Sequence, residues 1–255
     1  MEEPAVRERR YWDDVYRATG VEHFKYLWSK EIEGLSYVGR HFRRLVGHLT
    51  GKKILSLGGG IDRLAVLLAK NANDVVSVDV SPVAVAATID LAEQEGVSGR
   101  LTALVGTAEE TLFPHRSFDA VIAKRALHHM DFATVLTQVH DLLVSGGVLI
   151  AEEPICLSRW LSWLHSSVPF HPRAPRTQDE RELTNSDLML ITRSFREVTI
   201  SYFDVLARES VAYLLCKARC GGTLNQLGQI DYFLTNRCLP ALRYLSTYVI
   251  LQATK

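Results

Sequence analysis

The stretch ILSLGGGIDRLAVLLAK, Ile54 to Lys70, followed by DVVSVDVSP, Asp74 to Pro82, decides the fold. A short apolar run enters three glycines and leaves them as a segment with one apolar helical face, Ile61 to Lys70. A second apolar run ends on Asp79. Ser81 then suits a helix N-cap, Pro82 the first helical position and Gly96 the stop of the helix between them. Strand, turn, helix, strand, helix is the repeating unit of a parallel sheet.

Working outward, the rhythm persists. LTALVG (Leu101 to Gly106) reads as a third strand and FDAVIAK (Phe118 to Lys124) as a fourth. FATVLTQVHDLL is the next helix, and SGGVLIAEEP closes on a fifth strand. After Pro154 the pattern breaks. LSRWLSWLHSSV has helical spacing, a proline-rich stretch follows, NSDLMLITRSF is helical, and EVTISYF and STYVILQATK read as two last strands. The expectation is an α/β fold: a doubly wound, mostly parallel sheet of seven strands, with helices on both faces and helical cap insertions. Ahead of it, EEPAVRERRYWDDVYRATG carries Tyr11, Trp12 and Tyr16 and stops at Gly20, and a second helix spans roughly Val38 to Leu49.

Such sheets bind ligands beyond the carboxyl ends of their strands. That places the site at the ends of KILSL, VVSVD, LTALVG and FDAVIAK. Gly58 and Gly60 let the backbone turn tightly and let a ligand lie close, and the helix start beyond them offers free N–H groups. The dinucleotide fingerprint requires a glycine where Arg63 stands, which disfavours a nicotinamide cofactor. Asp79 ends the second strand where a nucleoside-binding fold places an acid for the ribose hydroxyls; its other reading is a helix-capping carboxylate. Thr107 and its loop, VGTAEETLF, are placed to meet an adenine edge, or are an ordinary connection.

Composition narrows the partners. Lys+Arg and Asp+Glu each total 29 in 255 residues, so the formal charge is zero, and no basic block marks a nucleic-acid face. Cys156, Cys216, Cys220 and Cys238 lack zinc-ligand spacing, so no metal is expected. The charged start has no signal-peptide core, and no apolar run suits a bilayer span. The expectation is a cytoplasmic protein with a small-molecule substrate, no nucleic acid and no membrane span, with homodimer and monomer both open.

Taken in order, ILSLGGGID, VVSVDVSP, VGTAEETLFPHRSFDAVIAKRALHHM and LLVSGGVLIAEEP resemble the class I S-adenosylmethionine-dependent methyltransferases, in their broad small-molecule branch. The resemblance runs from about Lys53 to Pro154 and implies a Rossmann-like sheet with S-adenosyl-L-methionine as cofactor. It implies that Gly58, Gly59 and Gly60 approach the methionine part and that Asp79 holds the ribose. Val80, Thr107 and Ala108 would flank the adenine, with Ala123 and Lys124 near the sulfonium. On this reading residues 1–50 form an N-terminal helical lid, 51–154 the cofactor-binding core, and 155–255 complete the sheet with substrate cap insertions. Three positions depart from the family pattern. Ser56 stands in place of an acid, Asp62 in place of a glycine and Thr107 in place of an aspartate; Asp62 is expected to take over part of the amino-group contact.

Methyl transfer from a sulfonium needs alignment, and a base only when the nucleophile must shed a proton. His128 and His129, just beyond the fourth strand, are the candidate bases; their other role is to pack or cap the next helix. Lys124 and Arg125 suit an anionic substrate or a solvated loop. Glu152 and Glu153 suit an amine, a proton or the surface. Tyr11 and Tyr16 are placed to fold over the cofactor, or simply to pack. Trp160, Trp163, Phe170 and the apolar part of Phe203 to Leu245 line either an acceptor pocket or a cap core. The expected function is methylation of a small, apolar or natural-product-like molecule on O, N or C, in biosynthesis. The alternatives are an enzyme of the same fold catalysing a cyclisation or rearrangement, and a non-catalytic subunit.

Overall fold

The computed structural model describes residues 3–21, 37–110, 113–158, 177, 180–205 and 221–255. Seven strands form one sheet: β1 (Lys53–Leu57), β2 (Asp74–Asp79), β3 (Leu101–Val105), β4 (Phe118–Lys124), β5 (Leu143–Pro154), β6 (Glu197–Phe203) and β7 (Tyr248–Thr254). Their order is β3-β2-β1-β4-β5-β7-β6. The pairs among β1 to β5 are parallel, and β7 runs antiparallel to both β5 and β6. The winding direction reverses between β1 and β4, so the crevice beyond the carboxyl ends of these strands is the ligand-binding position of such a sheet.

Both faces of the central strands are buried, which is why they read as unbroken apolar runs. Alternate residues serve opposite faces. Leu55, Val121, Leu149 and Leu251 meet α5 (Phe132–Leu142) and α6 (Asn185–Ser194). Ile54, Ile122, Ile150 and Ile250 meet α2 (Tyr37–Gly47) and α3 (Arg63–Lys70). Each such side chain is worth about 1.5–3 kcal/mol when fully buried.

Two boundaries position the ends of β1 and β2. The helix expected from Ile61 begins at Arg63, because the Asp62 carboxylate accepts the Ala65 N–H at 2.8 Å and acts as its N-cap. The helix after β2, α4 (Pro82–Gln94), begins as expected, with the Ser81 hydroxyl accepting the Ala84 N–H at 3.1 Å. The N-terminal α1 (Pro4–Thr19) ends at Gly20, and its Tyr16 packs with Ile61, Ala84 and Ala87 over the start of α4. A last long helix, α7, spans Gly221–Phe233. Among the described residues no helix is long and apolar enough to cross a membrane. Trp160, Trp163, Phe170, Cys216 and Cys220 lie outside the described residues.

Candidate cofactor and acceptor site

The chain leaves β1 through Gly58 and Gly60, both in the left-handed region at φ +60° and +59°. A side chain here would be strained and also obstructed. A Cβ on Gly58 would stand 2.6 Å from the Ala126 Cβ, and one on Gly60 2.6 Å from the Tyr16 hydroxyl. A Cβ on Gly59 would overlap the Asp62 carboxylate. The loop is therefore held between the segment after β4, the N-cap of α3 and the N-terminal helix.

Asp79 closes this loop from the end of β2. One carboxylate oxygen accepts the Gly60 N–H at 2.8 Å and the other the Ser81 N–H at 2.9 Å. Burial pushes its pKa up to about 6; the two N–H bonds pull it down, and the charges of Asp62 and Asp13 push it up further. Two main-chain bonds do not offset the loss of water, so the ionised form is held at a cost.

Asp62 has two duties. One oxygen caps α3 and the other accepts the Ser77 hydroxyl at 2.7 Å, while its own N–H donates to Thr88 Oγ1 at 2.9 Å. Ser77 and Thr88 carry no signal in the sequence beyond being hydroxyls inside an apolar strand and an alanine-rich helix. Ser56, Gly59, Asp62 and Lys124 border an open cleft between β1 and β4. A second, apolar cleft is bordered by Val78, Leu104, Thr107, Ala108 and Phe113. Thr107 Oγ1 accepts the Glu110 N–H at 3.3 Å. Val80 is tied to α1, its carbonyl accepting the Arg9 Nε–H at 3.0 Å. Ala123 is fully buried in the core beside Leu57 and Ala151, so only its main chain can face a ligand.

Beyond β4 the chain turns through Arg125 at φ +53°, a strained value for a side-chain-bearing residue. Arg125 Nε donates to Glu152 Oε1 at 3.0 Å, and its guanidinium lies 4.9 Å from the Tyr248 ring centre. Among the described residues the other oxygen of Glu152 is buried without a hydrogen-bond partner. Glu153 is fully buried, and neither glutamate is a surface acid. Its Oε1 accepts the N–H groups of Ala126 and Leu127 at 3.0 and 2.9 Å, and its Oε2 lies 2.7 Å from His128 Nδ1. His129 stacks beside His128, ring centres 4.1 Å apart, but its Nδ1 faces Glu8 of α1 at 3.4 Å and its ring meets Trp12 edge-on.

The N-terminal helix covers this region. Besides Arg9 on Val80 and Glu8 by His129, the Asp13 carboxylate accepts the Ser81 hydroxyl. Burial, with Asp79, Asp62 and Asp13 around it, pushes the Tyr16 phenol pKa far up. Burial pushes the Glu8 carboxyl up, but its neighbours His129, Thr177 and Trp12, the last donating its indole N–H at 3.0 Å, outweigh it and leave it lowered. The structure thus gathers Gly58, Gly59, Gly60, Asp62, Asp79 and Val80 under one helix. His128 and His129 border it from the β4 side.

A family model described as a methyltransferase domain matches residues 55–151. An uncharacterized methyltransferase of Mycobacterium tuberculosis is 34% identical over 98 residues, covering 38% of this chain and 38% of that protein. The ubiquinone biosynthesis O-methyltransferase of Azorhizobium caulinodans is 31% identical over 117 residues, 44% of this chain and 46% of that one. The chain therefore spans less than half the length of the curated relatives it matches. Among solved structures, the [4+2]-cyclase SpnF superposes with a TM-score of 0.57 at 21% identity, over 85% of this chain and 80% of that one. Geranyl diphosphate C-methyltransferase from Streptomyces coelicolor A3(2) does so with a TM-score of 0.58 at 11% identity, over 84% and 77%. Such identities speak for the fold alone. The domain match lies over β1 to β5 and takes in the glycine loop between β1 and α3, so residues 55–151 of this chain are similar to a methyltransferase domain.

Proposed function

We propose that the protein is an S-adenosylmethionine-dependent methyltransferase of the cytoplasm, acting on a small, apolar, natural-product-like molecule in biosynthesis. The methyl group passes directly to an O, N or C nucleophile. The observation that carries this reading is the Asp79 carboxylate, buried at the end of β2 with two main-chain donors and a raised pKa. A ribose diol supplies the further hydroxyl donors that favour its charged form.

The other residues fit the same group. Thr107 and Ala108 offer a hydroxyl and main chain at the border of an apolar cleft where the adenine would lie, and Val80 follows Asp79 directly in the chain. Gly59, Asp62 and Lys124 adjoin the cleft at the end of β1, with Gly58 and Gly60 on either side of Gly59 in the chain. When bound, the cofactor supplies a methyl group already activated for displacement. The chain's share is to align the acceptor, exclude water and take up a proton where one must leave. Helix α1 serves the second of these, since Asp13, Tyr16 and Arg9 close over Ser81, Gly60 and Val80. The similarity to a ubiquinone biosynthesis O-methyltransferase favours an apolar acceptor.

Incubation with methyl-labelled cofactor and fractionated small-molecule extracts tests the reading. Label passing to an extractable compound supports it; calorimetric titration with no heat and no change in melting temperature ends it. Ser56, where the family carries an acid, favours a second reading: a cyclisation or rearrangement on the same fold, for which the cyclase SpnF is a structural precedent. Tight cofactor binding without label transfer to any extract supports that one.

A further inference from the structure

We propose that Glu153 is the positioning residue of a dyad that makes His128 Nε2 the proton acceptor, and that the acceptor molecule presents a hydroxyl group. This rests on the methyltransferase reading and deepens it. Glu153 Oε2 lies 2.7 Å from His128 Nδ1 at a site where the carboxylate is fully buried. A carboxylate has no proton to donate, so Nδ1 carries the proton and the lone pair of the neutral ring sits on Nε2. Among the described residues Nε2 makes no hydrogen bond. The grip is rigid, because Oε1 of the same carboxylate holds the N–H groups of Ala126 and Leu127 at 3.0 and 2.9 Å. One fully buried side chain thus sets the path of the loop after β4 and the tautomer of the histidine on it.

His129 does not share this arrangement. Its Nδ1 faces Glu8 and its ring meets Trp12, both on α1, so it belongs to the closure of the N-terminal helix. A base fixed in advance identifies the acceptor class. A neutral amine attacks with its own lone pair and can lose its proton afterwards, whereas a hydroxyl is a poor nucleophile until its proton leaves. In the step inferred, the hydroxyl oxygen forms its bond to the methyl carbon while the carbon–sulfur bond breaks. The electron pair of that bond stays on sulfur, giving the neutral thioether. The hydroxyl proton moves to His128 Nε2, and the imidazolium so formed is balanced by Glu153.

Glu153→Gln tests the dyad by a reversal of hydrogen-bond sense. The two main-chain donors demand an acceptor, so the amide oxygen takes the place of Oε1 and the amide NH₂ faces His128 Nδ1. Nδ1 must then accept, and the proton moves to Nε2, the same kind of tautomer error that disables a serine-protease triad when its aspartate becomes asparagine. Imidazole ¹⁵N correlation spectra of the whole protein should show Nδ1–H in the wild type and Nε2–H in the variant. With labelled S-adenosylmethionine and a panel of catechols and hydroxyquinones, kcat should fall by roughly 10²–10⁴, with KM and cofactor Kd little changed. His128→Asn should lose as much, and the double variant no more. If Glu153→Gln does not fold, His128→Asn and the wild-type spectrum still decide the matter.

A wild-type ring protonated on Nε2, or unchanged kcat in the variants, overturns the dyad. Methylation of matched amines but of no hydroxylated compound overturns the acceptor class. A wild type that binds no S-adenosylmethionine is a different failure, and it removes the methyltransferase reading together with this one.

Discussion

Tyr16 of the N-terminal helix stands with its hydroxyl 2.6 Å from the point where a side chain on Gly60 would begin. The contact joins the loop after β1 to a helix 44 residues earlier in the chain, and it gives Gly60 a requirement independent of any ligand. Gly58 has a different one, with the Ala126 Cβ at the same 2.6 Å. The two obstructions yield differently. The Tyr16 hydroxyl is the far end of a side chain, whereas the Ala126 Cβ is one bond from the backbone. Alanine at either position also meets a left-handed φ, which costs roughly 1–2 kcal/mol. Gly58→Ala should therefore lower stability more than Gly60→Ala. Tyr16→Phe should rescue part of the Gly60→Ala loss and none of the Gly58→Ala loss. Denaturant unfolding of the four variants checks this; equal rescue of both would show that the hydroxyl contact is not what sets the cost.

The raised pKa of Asp79 has a thermodynamic consequence. The unfolded carboxyl titrates near 3.8 and the folded one near 6. Between these values the folded chain holds a proton that the unfolded chain has released, so stability falls as pH rises from about 4 to about 6. Above that window the full penalty applies, about 3 kcal/mol from the difference between the two values. Asp79→Asn should flatten this step in the unfolding free energy. Affinity for S-adenosylmethionine should rise across the same window in the wild type, since the ionised carboxylate is the better acceptor, and stay flat in Asp79→Asn. Calorimetry at pH 5 and pH 7 reads both; affinity falling with pH would contradict the ribose role.

Helix α1 is fastened to the site by Arg9 on the Val80 carbonyl, Asp13 on the Ser81 hydroxyl and Tyr16 against Gly60. If Asp79 holds the ribose as proposed, α1 must lift for a nucleoside to reach that carboxylate and can close again above it. Asp13→Ala should speed both association and dissociation of the cofactor, each by roughly tenfold if one buried hydrogen bond of about 1.4 kcal/mol is lost. Stopped-flow fluorescence follows the step through Trp12, with Trp12→Phe as the control that removes the signal. Rates unchanged by Asp13→Ala would mean that the helix does not gate the site.

Parts of this site could be read without coordinates because they are local. The glycines follow a strand directly, Asp79 ends the next strand, and Ser81-Pro82 opens a helix; each signal lies within a few residues. The strands were legible because burial on both faces leaves long apolar runs. What could not be read depends on neighbouring strands. Glu153 reaches His128, 25 residues away, only because β5 lies beside β4, in a register that pairs Lys124 with Glu152. Two adjacent glutamates at a strand end look alike in sequence. Which one turns toward the histidine and which toward Arg125 follows from the alternation of side chains across the sheet. The two histidines likewise look equivalent until α1 is seen to take one of them.

Asp62 poses the sharpest choice between scaffold and ligand. Its oxygens are occupied by the Ala65 N–H and the Ser77 hydroxyl, which is a structural duty, yet it borders the cleft beside Ser56, where the family's acid is missing. Asp62→Ala removes the cap of α3 and strands the Ser77 hydroxyl, so it should cost about 2–4 kcal/mol of stability whatever its part in binding. Asp62→Asn separates the two duties. Its amide oxygen can still cap Ala65, and its NH₂ can donate to Ser77 Oγ, so stability should stay within about 1 kcal/mol of wild type. Only the charge is lost. If that charge meets the amino group of the cofactor, affinity should fall about tenfold or more, the usual worth of a charge-assisted bond, while the melting temperature barely moves. Calorimetry on Asp62→Asn showing wild-type affinity would leave Asp62 as a pillar of the glycine loop and return the search for the missing acid's substitute to α1, where Asp13 already reaches Ser81.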